Sequence, residues 1–156
     1  MPSASLLDDY LAGPVHLRRA VAGLSEAQVR QRPIANRWSV LEVVCHLADF
    51  EPIYADRIKR VLAEPAAQLI SGDPDLFAAR LAYHDRDLEE ELRLIELTRS
   101  QVVRILRTAS PADFARTGVH SADGPLSLET LLRRVTGHIP HHLVFLEAKR
   151  AALLSG

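Results

Sequence analysis

The stretch RRVTGHIPHHLVFLEAKR, Arg133 to Arg150, decides the reading of this chain, because His138 and His142 stand four residues apart in a helical pattern. Residues at i and i+4 are neighbours on a helix surface, with Cβ atoms about 5–6 Å apart, so two imidazole nitrogens can converge on one divalent cation. Two histidines do not close a site. A third ligand has to come from another segment. His46, in a similarly helical stretch far upstream, supplies it if a bundle packs its helix beside the C-terminal one. His141 is the internal competitor. From His138, His142 lies about 40° round the helix and His141 about 60° the other way, so spacing favours His142 and leaves His141 a supporting, surface or dimer-contact role.

The rest of the chain is punctuated as helices, with almost no strand signal. From Ser5 to about Val21, Leu6, Leu7, Tyr10, Leu11, Val15 and Leu17 recur at three- and four-residue steps. That spacing predicts an amphipathic helix, which Gly13-Pro14 should bend or interrupt. Ser25-Glu26-Ala27-Gln28 reads as a capping box opening a short helix, and residues 31–37 as a connector. The clearest start is Trp38-Ser39-Val40-Leu41-Glu42. Ser39 as N-cap and Glu42 at the third helical position satisfy two amides that a helix leaves open, and the helix should run to about Leu62.

Residues 64–75, with Pro65, Gly72 and Pro74, read as a loop long enough to cross between helices. A long helix is expected from about Leu76 or Tyr83 to Thr108, with Leu88, Leu92, Ile95, Val102, Ile105 and Leu106 as an apolar stripe opposite Glu and Arg. Ser110-Pro111-Ala112-Asp113 starts a single turn, and residues 116–125 read as irregular. The last helix runs from about Ser127 to Leu154, its middle distorted by Gly137 and Pro140. Four long helices with one long loop near the middle predict an all-α four-helix bundle, a single domain over residues 1–156.

Composition excludes several classes. With 19 basic and 20 acidic residues mixed along 156 positions, the chain has no basic stripe for a nucleic-acid partner. No apolar run approaches the roughly 18 residues of a spanning helix, and MPSASLLDDYLAGP lacks the basic start of a signal peptide. A cytoplasmic protein that leaves membranes alone is the expectation, and the single cysteine, Cys45, agrees with a reducing compartment.

The motifs W-S-x-L-E-x-x-x-H-L at Trp38 to Leu47, R-T-G-V-H-S-A-D-G-P-L-S-L-E-T-L-L at Arg116 to Leu132 and G-H-I-P-H-H-L at Gly137 to Leu143, in this order and over nearly the whole chain, resemble the DinB-like (DinB/YfiT) superfamily. The resemblance implies an up-down-down-up bundle with short extra helices in its connections, usually a homodimer. It also implies a divalent metal, zinc or nickel, held by His46, His138 and His142. Members include metal-dependent thiol transferases that use bacillithiol, mycothiol or related low-molecular-weight thiols. Three neutral imidazoles leave a fourth position open, as in catalytic zinc sites. A substrate thiol there would be favoured as its thiolate for attack on an electrophile. A metal-dependent hydrolase is the neighbouring alternative, and a non-catalytic, metal-stabilised stress-response bundle is the other.

Residues near these motifs also have plainer roles. Asp49, three after His46, could orient an imidazole, but a solvated helix-face charge is the default. Glu42 has a sufficient task in its capping box. His120 sits in a glycine-flanked loop, with an exposed position as the default over a mouth-of-site role. Trp38 is expected as a staple or core anchor, and Cys45 as a small buried apolar residue. His16 and His84 have no supporting context.

Overall fold

Runs of apolar residues at helical spacing account for most of the computed structural model, which describes residues 4–155. In chain order the elements are α1 (Ala4–Val21), the short α2 (Glu26–Arg30), α3 (Val40–Ala63), β1 (Gln68–Leu69), α4 (Pro74–Arg80), α5 (Leu88–Leu106), β2 (Thr117–His120), β3 (Gly124–Ser127) and α6 (Leu128–Leu154). Met1 to Ser3, the start of the segment read above for a signal peptide, lie outside the described residues, as does Gly156. The caps sit where the sequence marks them. Ser25 and Ser39 each close a capping box, with Gln28 and Glu42; Ser127 caps α6; Ser110 and Asp113 open a 3-10 turn at Pro111–Ala115.

Three expectations need correction. The third long helix starts only at Leu88, capped by Asp87. Ahead of it lie α4 and a 3-10 turn at Tyr83–Asp85, with Ala82 at φ 52° breaking the helical path. The two stretches read as irregular meet in a small sheet of order β1-β2-β3, in which β1 pairs with β2 in parallel and β2 with β3 antiparallel. Strands of two to four residues containing glycine and proline are too short to show a period of two. The helices α1 and α6 also run unbroken through Pro14 and Pro140.

Two apolar clusters occupy the two halves of the bundle. One gathers Leu6, Ile58, Val61, Val102, Leu106 and Leu131; the other gathers Leu17, Val44, Leu47, Leu92, Ile95, Ile139 and Leu146. Along α1 and α6 the first cluster precedes the second, and along α3 and α5 the order reverses. The long helices therefore run up, down, down, up. The neighbours α3 and α5 are parallel, so residues 64–87, carrying β1 and α4, must return the chain to the starting end.

Between the clusters lies a buried polar layer centred on Arg99, whose side chain is fully buried. Its guanidinium donates to Glu51 at 2.9 Å, to the Val135 carbonyl at 3.0 Å and to the Tyr10 carbonyl at 2.7 Å. Tyr10 Oη donates to Glu51 at 2.7 Å. Pro14 has no amide to offer the Tyr10 carbonyl four residues earlier, so Arg99 fills the place of a missing helix bond. Gly13 makes room: a Cβ there would collide with Arg99 Nη1 and come within 3.2 Å of Ile139. Gly13-Pro14 is thus the seat of a buried cation and not a bend. The stripe on α5 correspondingly includes Glu91 and Arg99 on its buried face, where the sequence reading placed charges outside.

Removing one partner of a buried pair leaves an uncompensated charge and costs about 3–5 kcal/mol. Arg99→Met should therefore lower unfolding free energy in urea by about that much, and the Arg99→Met/Glu51→Gln double variant by less than the sum of the single changes. Gly13→Ala should cost about 1–3 kcal/mol by crowding the pinned guanidinium.

Candidate metal centre

His46 projects from the capped N-terminal half of α3, and His138 and His142 from adjacent turns of α6. The polar layer sets their levels. His46 lies five residues before Glu51 on a descending helix, about 7.5 Å along the axis. His138 and His142 lie three and seven residues after Val135 on an ascending one, about 4.5 and 10.5 Å. His46 consequently faces the gap between the two. One nitrogen from each ring lies within 4.8 Å of the others, and His46 Nε2 and His138 Nε2 are 3.0 Å apart. Ring centroids are separated by 4.8–5.0 Å.

These rings are oriented by packing. Trp38 lies 5.3 Å and Phe50 4.8 Å from the His46 ring, and Tyr54 and Phe50 each 6.3 Å from His138. The Nδ1 atoms of His46 and His138 are buried without a hydrogen-bond partner among the described residues. Burial holds the imidazoles neutral, pushing His46 to about 4, His138 to about 3 and His142 to about 4. Repulsion among the rings adds to the fall at His138 and His142, while Asp49 and Asp75 partly offset it at His46.

The donor set fits a divalent cation. Neutral imidazole is the ligand form, and tetrahedral nitrogens at about 2.0–2.1 Å from a zinc would stand about 3.3 Å apart, close to the His46–His138 spacing. Among the described residues no fourth His, Cys, Asp or Glu joins the cluster.

Other singled-out residues have different work. His141 is exposed, its ring 5.1 Å from His142 and 5.3 Å from Phe145. Asp49 is not a solvated charge: it forms a two-pronged pair with Arg86 at 2.9 and 3.0 Å. Glu42 holds the Ser39 amide and is gripped by Arg32. His120 is buried, correcting the exposed-loop reading, and accepts from the Ala122 and Asp123 amides at the hairpin turn. Cys45 is fully buried, its thiol pushed up to about 12 chiefly by burial and donating toward the Tyr83 carbonyl. His16 and His84 are exposed.

The sequence reading missed three contributors. Trp38 is a wall of the site as well as a helix-start residue; its place inside the W-S-x-L-E-x-x-x-H-L motif was the available signal. Lys149, buried beside His142, stands seven residues after it, two turns along the same face. Asp75 lines the same cavity as His142 from α4, and no local pattern links the two.

A model of the DinB superfamily matches residues 12–146. A provisionally assigned metal-dependent hydrolase of Oceanobacillus iheyensis is 28% identical over 130 residues, 83% of this chain and 75% of that protein. Among solved structures, YfiT from Bacillus subtilis, described as a probable metal-dependent hydrolase with an unusual four-helix bundle topology, superposes with a TM-score of 0.86 at 23% identity, over 93% of this chain and 83% of YfiT. A mycothiol-dependent maleylpyruvate isomerase gives a TM-score of 0.74 at 12% identity, over 94% of this chain and 61% of its own. At these identities the two structures attest the fold.

Each histidine's folded pKa lies below its unfolded value of about 6.5, so the unfolded chain binds more protons between the two, and stability present above pH 6.5 is lost as pH falls toward 4. In metal-free protein, His138→Phe should reduce the loss of unfolding free energy between pH 7 and pH 5 by about 2 kcal/mol, read from urea midpoints.

Proposed function

The chain belongs to the DinB superfamily, and from that premise we propose a metal-dependent enzyme in which His46, His138 and His142 hold one zinc or nickel ion. Its partner in reaction is a low-molecular-weight thiol, of the bacillithiol or mycothiol kind, used against an electrophile. The observation that carries this reading is the convergence of three neutral imidazoles with no fourth protein ligand among the described residues. A structural site closes its shell; an open position is what a substrate needs. When bound, the ion would supply positive charge favouring the deprotonated form of a thiol or water at that position. The protein's own contributions are the rigid ring geometry, the aromatic walls of Trp38, Phe50 and Tyr54 that limit water, and the cavity beside His142. The homodimer and the cytoplasmic setting belong to the same proposal.

Hydrolysis is the second reading, favoured by Asp75. This carboxylate lines the cavity with His142, acts electrostatically on His46 and makes no ion pair among the described residues, so it is free to accept a proton from water. Asp49, tied to Arg86, is not. A non-catalytic bundle would instead need a closed coordination shell.

Elemental analysis after metal removal and reloading should find about one ion per chain, lost in His46→Ala, His138→Ala or His142→Ala and retained in His141→Ala. Retention in the His142 variant with loss in the His141 variant would overturn the ligand set. In product assays with a small electrophile, a rate proportional to thiol and indifferent to Asp75→Asn supports transfer; thiol-independent turnover lowered by Asp75→Asn supports hydrolysis.

A further inference from the structure

Beside His142 opens a cavity of about 310 Å³, at the lower end of the range for small-molecule sites. Trp38, Val43 and Phe145 form its apolar side, and Arg37 and Lys149 bring two cations to it. Lys149 is only 4% exposed, yet it makes no ion pair or side-chain hydrogen bond among the described residues. The Lys149 ammonium itself stays open to the cavity, since Nζ is not among the fully buried polar atoms, and a cation held there without a protein partner marks a place for an anion. Its nearest electrostatic neighbours do not resolve that. Arg37 is a like charge, also without an ion pair, and it reinforces the effect of burial in lowering the Lys149 pKa. Glu42 acts in the opposite sense, but its carboxylate is engaged by Arg32 and the Ser39 amide. Among the described residues Asp75 is the one carboxylate on the cavity wall, and it is exposed on α4.

We infer that this cavity is a carboxylate subsite: Lys149 and Arg37 take the anionic end of a small substrate whose apolar body lies against Trp38 and Phe145, with its other end directed toward the three histidines. The inference rests on the proposed active site for its purpose but not for its existence, since none of the residues that bind the carboxylate is a metal ligand. It narrows the substrate class to acids small enough for the cavity. A neutral analogue would cover the Lys149 ammonium without pairing it, so discrimination should be strong.

Trp38 is the only tryptophan in the chain and forms a wall of the cavity, so its fluorescence reports occupancy directly. The protein, metal-free and zinc-loaded, is titrated with 3-phenylpropionate, 3-phenylpropanamide and 3-phenylpropylamine. The acid should give a saturable change and bind about tenfold tighter than the amide in both forms. Lys149→Met should weaken the acid about tenfold and leave the amide unchanged, and Lys149→Arg should restore part of the loss. Because Lys149 is buried, Arg37→Gln at an exposed position serves as the variant that leaves the fold intact, with a several-fold loss expected. Equal binding of acid and amide, preference for the amine, or acid affinity untouched by both variants would overturn the subsite. Acid selectivity in a protein that takes up no metal would keep the subsite and sink the metalloenzyme reading; metal uptake without acid selectivity would do the reverse.

Discussion

One guanidinium touches all four long helices, and the rest of the structure is aligned on it. Arg99 of α5 holds the Glu51 carboxylate of α3, the Tyr10 carbonyl of α1 and the Val135 carbonyl of α6. A hydrophobic stripe can slide by a turn at modest cost, because apolar contacts are not directional. A buried cation with fixed partners cannot, since a shift would leave charge and carbonyls unpaired at low dielectric. The layer therefore fixes the axial position of α3 against α6. That position sets His46 opposite the gap between His138 and His142.

The site inherits its chemistry from the same burial. Imidazoles exposed on a helix would be partly protonated near neutrality and would repel a cation; here packing under Trp38, Phe50 and Tyr54 keeps them neutral. The carboxylates closest in sequence are withheld from them, Glu42 by its cap and Arg32, Asp49 by Arg86. This leaves a three-nitrogen set without added negative charge, beside a cavity whose uncommitted charges are Lys149, Arg37 and Asp75. Such a set suits substrates that bring their own anion.

What the sequence made legible was local. Ser39 with Glu42 and Ser25 with Gln28 announce helix starts because a cap and its partner lie three residues apart, and His138 with His142 share a face because helices repeat every 3.6 residues. The up-down-down-up bundle came with the family resemblance and stands in the structure. The polar layer was illegible, since Glu51 and Arg99 look like surface charges until α3 and α5 are packed. Gly13-Pro14 was misread for the same reason: its partner is 86 residues away at Arg99. The small sheet and the burial of His120 depend on pairing between segments about 50 residues apart, as between Leu69 and His120, and no periodicity in either segment reveals it. The place of Lys149 on the His142 face could have been read from the spacing; its lack of a partner could not.

X-ray absorption spectroscopy of the zinc-reconstituted protein tests the central claim most directly, because it counts the ligands. The account predicts three imidazole nitrogens at about 2.0–2.1 Å and a fourth light ligand that gives way to sulfur at about 2.3 Å when a small thiol is added. A coordination sphere with fewer than three imidazoles, or one already completed by a fourth protein side chain and unchanged by thiol, would contradict it.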